Sequence, residues 1–334
     1  MSLEEIAKKM CAKGKGILAA DESTGTMDKR LTSVGVECTD KNRLNFRETL
    51  FTADAMKSYI GGVILFDATI REKTSLGISV PELIEKNNSV VGIKVDKGAK
   101  KLAGSPEETV TEGLDGLRER LSEYYKLGAR FTKWRAVYNI GKNYPSVQSI
   151  KSNAQALARY AALVQEANMV PIVEPEVLMD GDHDIDACYK ATTDVLNACF
   201  DELAIQKISL KGIVLKPNMV VPGFKSSKKV TTEEIAAKTL DCLKKNVPSD
   251  VPGIAFLSGG QSEQESTNNL NAINKINDTN FLITYSFGRA LQQSALKTWS
   301  KEMNDKKAIH LVFNHRAKMN GLASKGEWSQ ELEA

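Results

Sequence analysis

The chain has 334 residues, 42% of them hydrophobic, enough for a large core in one big domain or two smaller ones. The 45 basic and 42 acidic residues leave a net charge of +3, which gives no global case for nucleic acid or a membrane surface and points instead to a small anionic substrate. No window reaches transmembrane length, and residues 1–10 read as an amphipathic helix with early acids, not as a signal or transit peptide.

Eight short apolar or β-branched runs follow in chain order, at 16–21, 61–66, 90–96, 131–137, 169–177, 212–218, 253–259 and 281–288. Their starts are spaced roughly 30 to 45 residues apart, the length of a strand–helix unit. Helices fill the gaps. The stretch 152–168 puts Ala156, Tyr160, Leu163 and Ala167 on one stripe, and Thr231 or Thr232 can cap 233–245, which has acids in its first turn and lysines in its last. Lys97, Lys100 and Lys101 read as a solvated loop. Trp134 reads as core facing the helices, and Gly16, Gly61 and Gly62 as turn and packing positions. The turn 181–184 could offer metal ligands but reads as a cap for the next helix. Past residue 303 the chain adds one more helix and a short polar tail. Eight apolar strands alternating with helices predict a single (β/α)8 TIM barrel over residues 1–334, a closed parallel sheet and not an open doubly wound one. No Gly-x-Gly-x-x-Gly follows the first strand, so a dinucleotide fold is not supported.

In such a barrel the active site lies at the C-terminal strand ends. Those ends read Asp21, Lys94 with Asp96, Lys133 with Arg135, Glu174 with Glu176, and Lys216. Residues two apart on a strand share a face, so each pair points the same way, into the barrel. One isolated lysine at a strand end would read as solvated, and one pair as a structural ion pair. Recurrence on four apolar strands reads instead as a functional cluster, because buried charges must satisfy one another or a substrate. Lys216 closes the run 212–216, where low dielectric should lower its pKa and leave a nucleophilic amine suited to Schiff-base chemistry on a carbonyl. Ser258, Gly259 and Gly260 end one strand and open a helix, and Gly288 with Arg289 repeats the arrangement at the next. Both stretches suit phosphate. Across the mouth lie Lys94, Arg135 and Arg30, with Ser23 and Thr26 nearby. Two anion sites on either side of a reactive lysine suggest a ligand with a phosphate at each end. The five cysteines, odd in number and without a Cys-x-x-Cys pair, predict reduced thiols in the cytoplasm. The three histidines form no closely spaced pair, so a histidine-rich zinc site is poorly supported.

Seven segments then carry a resemblance: Gly16-Ile-Leu-Ala-Ala-Asp-Glu-Ser23, Gly92-Ile-Lys-Val-Asp-Lys-Gly98, Lys133-Trp-Arg135, Val173-Glu-Pro-Glu176, Leu215-Lys-Pro-Asn-Met219, Leu257-Ser-Gly-Gly-Gln-Ser262 and Phe287-Gly-Arg-Ala290. In this order, over nearly the whole chain, they resemble class I fructose-1,6-bisphosphate aldolase. The resemblance implies reversible cleavage of fructose 1,6-bisphosphate to dihydroxyacetone phosphate and glyceraldehyde 3-phosphate, without a metal, in a cytoplasmic homotetramer. It implies that Lys216 forms the Schiff base and Glu174 serves as its acid–base. Lys133 assists and helps keep Lys216 neutral, Glu176 holds Lys133, and Asp21 takes the C4 hydroxyl proton. Ser258, Gly259, Gly288 and Arg289 hold the C1 phosphate, while Lys94, Arg135, Ser23, Thr26 and Arg30 surround the C6 phosphate. The resemblance departs at 330–334, where many members continue to a terminal tyrosine that assists proton exchange on the enamine. That bears on enamine protonation and on the preference between fructose 1,6-bisphosphate and fructose 1-phosphate. The competing readings are another lysine-dependent aldolase, which would not need two phosphate sites, a metal-dependent aldolase, and a catalytically dead barrel kept as a binding protein for cytoskeletal or membrane partners. The dead barrel predicts loss of at least one of Asp21, Lys133, Glu174 and Lys216, and all four are present.

Overall fold

Every one of the eight apolar runs becomes a parallel strand in the computed structural model, which describes residues 1–333. β1 (Gly16–Ala20), β2 (Ile60–Leu65) and β3 (Val90–Lys94) are followed by two strands outside the barrel, β4 (Ala99–Leu102) and β5 (Ser105–Thr111). Then come β6 (Phe131–Tyr138), β7 (Val170–Val177), β8 (Val214–Leu215), β9 (Gly253–Phe256) and β10 (Leu282–Phe287). The barrel closes in the order β1-β10-β9-β8-β7-β6-β3-β2, with helices between successive strands: a (β/α)8 barrel.

Alternation divides the core in two. Leu18, Val63, Ile93, Trp134, Val173, Leu215, Phe256 and Tyr285 face outward into the layer shared with the helices. Trp134 stacks there at 5.4 Å from the Tyr160 ring. Ile17, Ile64, Val90, Phe131, Ile172, Val214 and Ala255 fill the barrel floor, plugged from below by Ile6, Ala7 and Met10 of the helix Leu3–Met10. Gly92 makes room for that filling, since a Cβ there would lie 2.2 Å from the Phe131 ring. The floor is packed with apolar side chains, so the polar strand ends above it line the large open part of the interior.

Four expectations change. The run 212–218 keeps only Val214–Leu215 as strand, because Leu210–Gly212 is a 3₁₀ turn and Pro217 has no N–H to extend the ladder. Lys216 still donates its amide to the Val173 carbonyl at 2.8 Å, which places its Cα just past the last barrel pairing. Lys100 and Lys101 lie not in a loop but on the antiparallel β4–β5 ribbon, opposite Val110 and Thr109. Asn153 anchors that ribbon, donating to the Thr109 carbonyl at 2.8 Å and accepting from the Thr111 amide at 3.1 Å. The helix expected at 152–168 runs Val147–Glu166. The Ser146 hydroxyl starts it by accepting from Ser149 N at 3.2 Å, and Asn168 ends it at φ 56°. The tail after helix Lys306–Ala323 is docked, with Trp328 only 4% exposed and Glu333 paired with Arg316. Among the described residues no helix is long and apolar enough to cross a membrane.

Candidate active site

At the top of the barrel, β1, β6, β7 and β8 bring four charged groups together. Lys133 Nζ lies 2.6 Å from Asp21 Oδ2 and 3.3 Å from Glu174 Oε2, and Lys216 Nζ lies 3.0 Å from Glu174 Oε1. None of the four is more than 9% exposed. Two cations and two carboxylates compensate one another there, the condition under which buried charge is tolerated. Burial pushes the Glu174 carboxyl up, but Lys133, Lys216 and Arg135 outweigh it and hold it below the usual range. Asp21 is likewise pushed up by burial and held low by Lys133 and Lys216. Burial lowers Lys133, yet Asp21 and Glu174 hold it above an ordinary lysine. The contact of Glu174 Oε2 with Lys133 is an ion pair without hydrogen-bond alignment, so that oxygen remains a free acceptor while Oε1 faces Lys216.

Every residue expected from the sequence to act in catalysis or to bind phosphate lines one cavity of about 1420 Å³. On one side Gly259 and Gly260 turn at φ 58° and 97°, the left-handed region that suits glycine, before helix Glu263–Ile276. Gly288 opens the helix Arg289–Lys301 without a side-chain cap, which leaves the amides of Arg289 and Ala290 to a ligand, while that of Leu291 donates to the Gly288 carbonyl. The Arg289 guanidinium has no carboxylate partner among the described residues and reaches 3.6 Å from the position a Cβ on Gly260 would take. On the other side the cations are paired. Lys94 Nζ lies 2.6 Å from Asp96 Oδ1, Arg30 pairs with Glu22, and Arg135 Nε pairs with Glu176. Glu176 therefore holds Arg135 and not Lys133, contrary to the role expected of it. Ser23 caps helix Thr24–Thr32, its hydroxyl 3.1 Å from that of Thr26. The turn 181–184 stands apart as a cap, Asp184 accepting from Ala187 N at 3.0 Å.

The family model for fructose-bisphosphate aldolase class-I matches residues 2–334. The chain belongs to the class I fructose-bisphosphate aldolase family. It is an enzyme of that type, a lyase of glycolysis, and the class I family is the Schiff-base, metal-independent one. A protein of Xylella fastidiosa named probable fructose-bisphosphate aldolase class 1 is 52% identical over 328 residues, 98% of each chain. The cytoplasmic isozyme 1 of Pisum sativum is 51% identical over 323 residues, 96% of this chain and 90% of its own. Among solved structures, the aldolase of Plasmodium falciparum in complex with TRAP and a small-molecule inhibitor superposes with a TM-score of 0.96 at 43% identity. It covers 98% of this chain and 95% of its own.

For this aldolase, sequence reading missed several groups that line the same cavity. Ser286, 1% exposed with an unpartnered hydroxyl, was legible as the inward position two residues before Gly288. Glu22 gave no signal, because strand alternation turns it away from Asp21 and only the neighbouring helices bring it to Arg30. Lys97 enters from the loop between β3 and the ribbon, and Arg120 from the helix after the ribbon; neither was foreseen to border the mouth.

The charged cluster also sets a pH window for stability. Asp21 and Glu174 titrate below their unfolded values, so their contribution is complete above the ordinary carboxylate range and is lost as pH falls through the folded values. Lys133 titrates above its unfolded value, so its contribution holds below an ordinary lysine pKa of about 10.4 and is lost above it. Urea midpoints should therefore stay level from pH 6 to 8 and fall as pH drops below about 4. A midpoint that rises on acidification would contradict the assignment.

Proposed function

We propose that this aldolase cleaves fructose 1,6-bisphosphate reversibly to dihydroxyacetone phosphate and glyceraldehyde 3-phosphate through a Schiff base on Lys216. The observation that carries the reading is the contact of Lys216 with Glu174 at 3.0 Å, deep in the cavity with anion-binding groups on both sides. Glu174 is the nearest base for the Lys216 proton. The freed amine attacks the C2 carbonyl of the sugar, and the carbinolamine oxygen takes the proton that the attacking nitrogen sheds. Glu174 then protonates the C2 hydroxyl, which leaves as water as the iminium forms. Asp21 takes the proton of the C4 hydroxyl, and the electrons of the C3–C4 bond move into the iminium to give the enamine. The aldehyde half departs. The enamine is then protonated at C3, and hydrolysis of the iminium returns the lysine. Lys133, between Asp21 and Glu174, stabilises the charge on both as protons pass.

Ser258, Gly259, Gly288 and Arg289 hold the C1 phosphate in this reading, while Ser23, Thr26, Arg30, Lys94 and Arg135 hold the C6 phosphate. The two arms differ in charge compensation. Arg289 has no carboxylate partner among the described residues, whereas Arg30, Lys94 and Arg135 must each share with a carboxylate. The C1 phosphate should therefore supply more of the binding energy. Arg289→Ala should raise KM for fructose 1,6-bisphosphate and fructose 1-phosphate alike, by about 10- to 100-fold, as expected for losing a charge-assisted contact. Unequal effects on the two substrates would move Arg289 to the other phosphate. The reading includes a cytoplasmic homotetramer that needs no metal, and five cysteines free of disulfides accord with a reducing compartment. Borohydride trapping tests the whole. Dihydroxyacetone phosphate and sodium borohydride should leave a triose-phosphate adduct on the peptide carrying Lys216. An adduct on another lysine, or none from folded protein, would overturn the proposal.

A further inference from the structure

Glu22 follows Asp21 at the end of β1 and is the hub of a buried network that the reaction steps do not use. It is ion-paired with Arg30 Nη1 and takes a hydrogen bond from Gln292 Nε2 at 3.3 Å, and its Oε2 lies 3.5 Å from Arg47 Nη2. Arg47 sits on helix Asp40–Phe51, is 2% exposed, and does not line the cavity, whereas Arg30 and Glu22 do. The Arg47 guanidinium is anchored from two further directions. Nη2 donates to the Glu22 carbonyl at 2.9 Å, and Nη1 donates to Thr69 Oγ1 at 2.5 Å. Four buried atoms in this network lack hydrogen-bond partners: Glu22 Oε2, Arg47 Nε, and Nε and Nη2 of Arg30.

We infer that Arg47 is a positioning residue for the distal phosphate, acting through Glu22, and that it sets the preference for a bisphosphate over a monophosphate sugar. The inference rests on the proposed role of Arg30 at the C6 phosphate. Nε and Nη2 of Arg30 are buried, and Nη1 is paired with Glu22, so an incoming phosphate must compete with Glu22 for the guanidinium. Were Arg30 the only cation beside Glu22, the incoming phosphate would leave a buried carboxylate without a counter-charge, which is strongly disfavoured. Arg47 supplies the second charge. The 3.5 Å contact has room to tighten, and the Glu22 Oε2 that makes it has no hydrogen-bond partner. Glu22 can therefore release Arg30 to the phosphate while remaining compensated. Without Arg47, Glu22 holds Arg30 more firmly and the distal phosphate binds less well. The C1 arm meets this network through Gln292, on the helix that Gly288 opens, and Arg289 itself has no carboxylate partner among the described residues, so the C1 phosphate should be affected far less.

The test is kcat and KM for fructose 1,6-bisphosphate and fructose 1-phosphate in a small set of variants. Arg47→Met should raise KM for the bisphosphate about tenfold with kcat within about twofold, so the ratio of kcat/KM between bisphosphate and monophosphate falls about tenfold. Adding Glu22→Gln to that chain should restore the ratio, because the neutral amide no longer competes for Arg30. Arg47→Lys should keep part of it. A purely structural role would lower both substrates together and would not be relieved by Glu22→Gln. An unchanged ratio in folded Arg47→Met, or a fall that Glu22→Gln does not relieve, overturns the inference. Arg30→Ala separates the two levels. If it leaves the ratio unchanged, the assignment of Arg30 and the inference fall together. If it collapses the ratio while Arg47→Met does not, only the inference falls. Should Arg47→Met not fold, Thr69→Val removes only the far anchor and should shift the ratio the same way by about two- to threefold.

Discussion

Lys216→Met should reduce turnover of fructose 1,6-bisphosphate by at least about 10⁴-fold, the scale seen when a covalent nucleophile is removed. Methionine has nearly the length of lysine and suits a site where Lys216 is 4% exposed, so the cavity should keep its shape. The charge balance changes more. Glu174 loses the cation at 3.0 Å and keeps Lys133 at 3.3 Å, while the Asp21–Lys133 pair at 2.6 Å is undisturbed. Breaking a buried pair outright costs about 3–5 kcal/mol, and retention of Lys133 beside Glu174 makes that an upper bound here. The variant should therefore fold with a lowered melting temperature, show no measurable cleavage, and give no labelled peptide when treated with dihydroxyacetone phosphate and borohydride. Residual turnover within about 10²-fold of the parent would mean that other groups carry the chemistry.

Asp21→Asn should divide the reaction at its middle. The amide preserves size and can still accept a hydrogen bond from Lys133, but it cannot take the C4 hydroxyl proton. Cleavage should fall by about 10²- to 10⁴-fold, the usual range for a lost general base. Schiff-base formation draws on Glu174 and Lys216, which Asp21 contacts only through Lys133. Trapping with dihydroxyacetone phosphate, which contains no bond to cleave, should therefore still label Lys216. Equal losses in trapping and in cleavage would place Asp21 in the earlier steps.

The partners of the barrel charges show where sequence reading stops. Lys133, Arg135, Glu174 and Glu176 were legible as inward-facing because alternation along a strand is local: it follows from backbone geometry alone. Their pairings were not. Register sets Arg135 level with Glu174 and Val137 level with Glu176. Glu176 thus stands four residues, roughly 13 Å of strand, above the level of Lys133. Arg135, two residues nearer, reaches it instead. Lys133 turns across the interior to Asp21, on a strand three places away in the closed sheet. No spacing in the chain encodes that distance, because barrel closure and stagger create it.

The same division holds elsewhere. Apolar runs at strand–helix spacing, glycines before helices, and a lysine closing a buried strand determined the barrel class, the strand ends that matter and the type of chemistry, since each is a local pattern with one physical solution. Strand β8 was shortened, the ribbon β4–β5 was added against Asn153, and Glu22 was set between Arg30 and Arg47 by contacts between segments far apart in sequence. Tertiary structure alone decided those, because the free energy of a buried charge or of an unpaired strand edge depends on what the rest of the fold brings beside it.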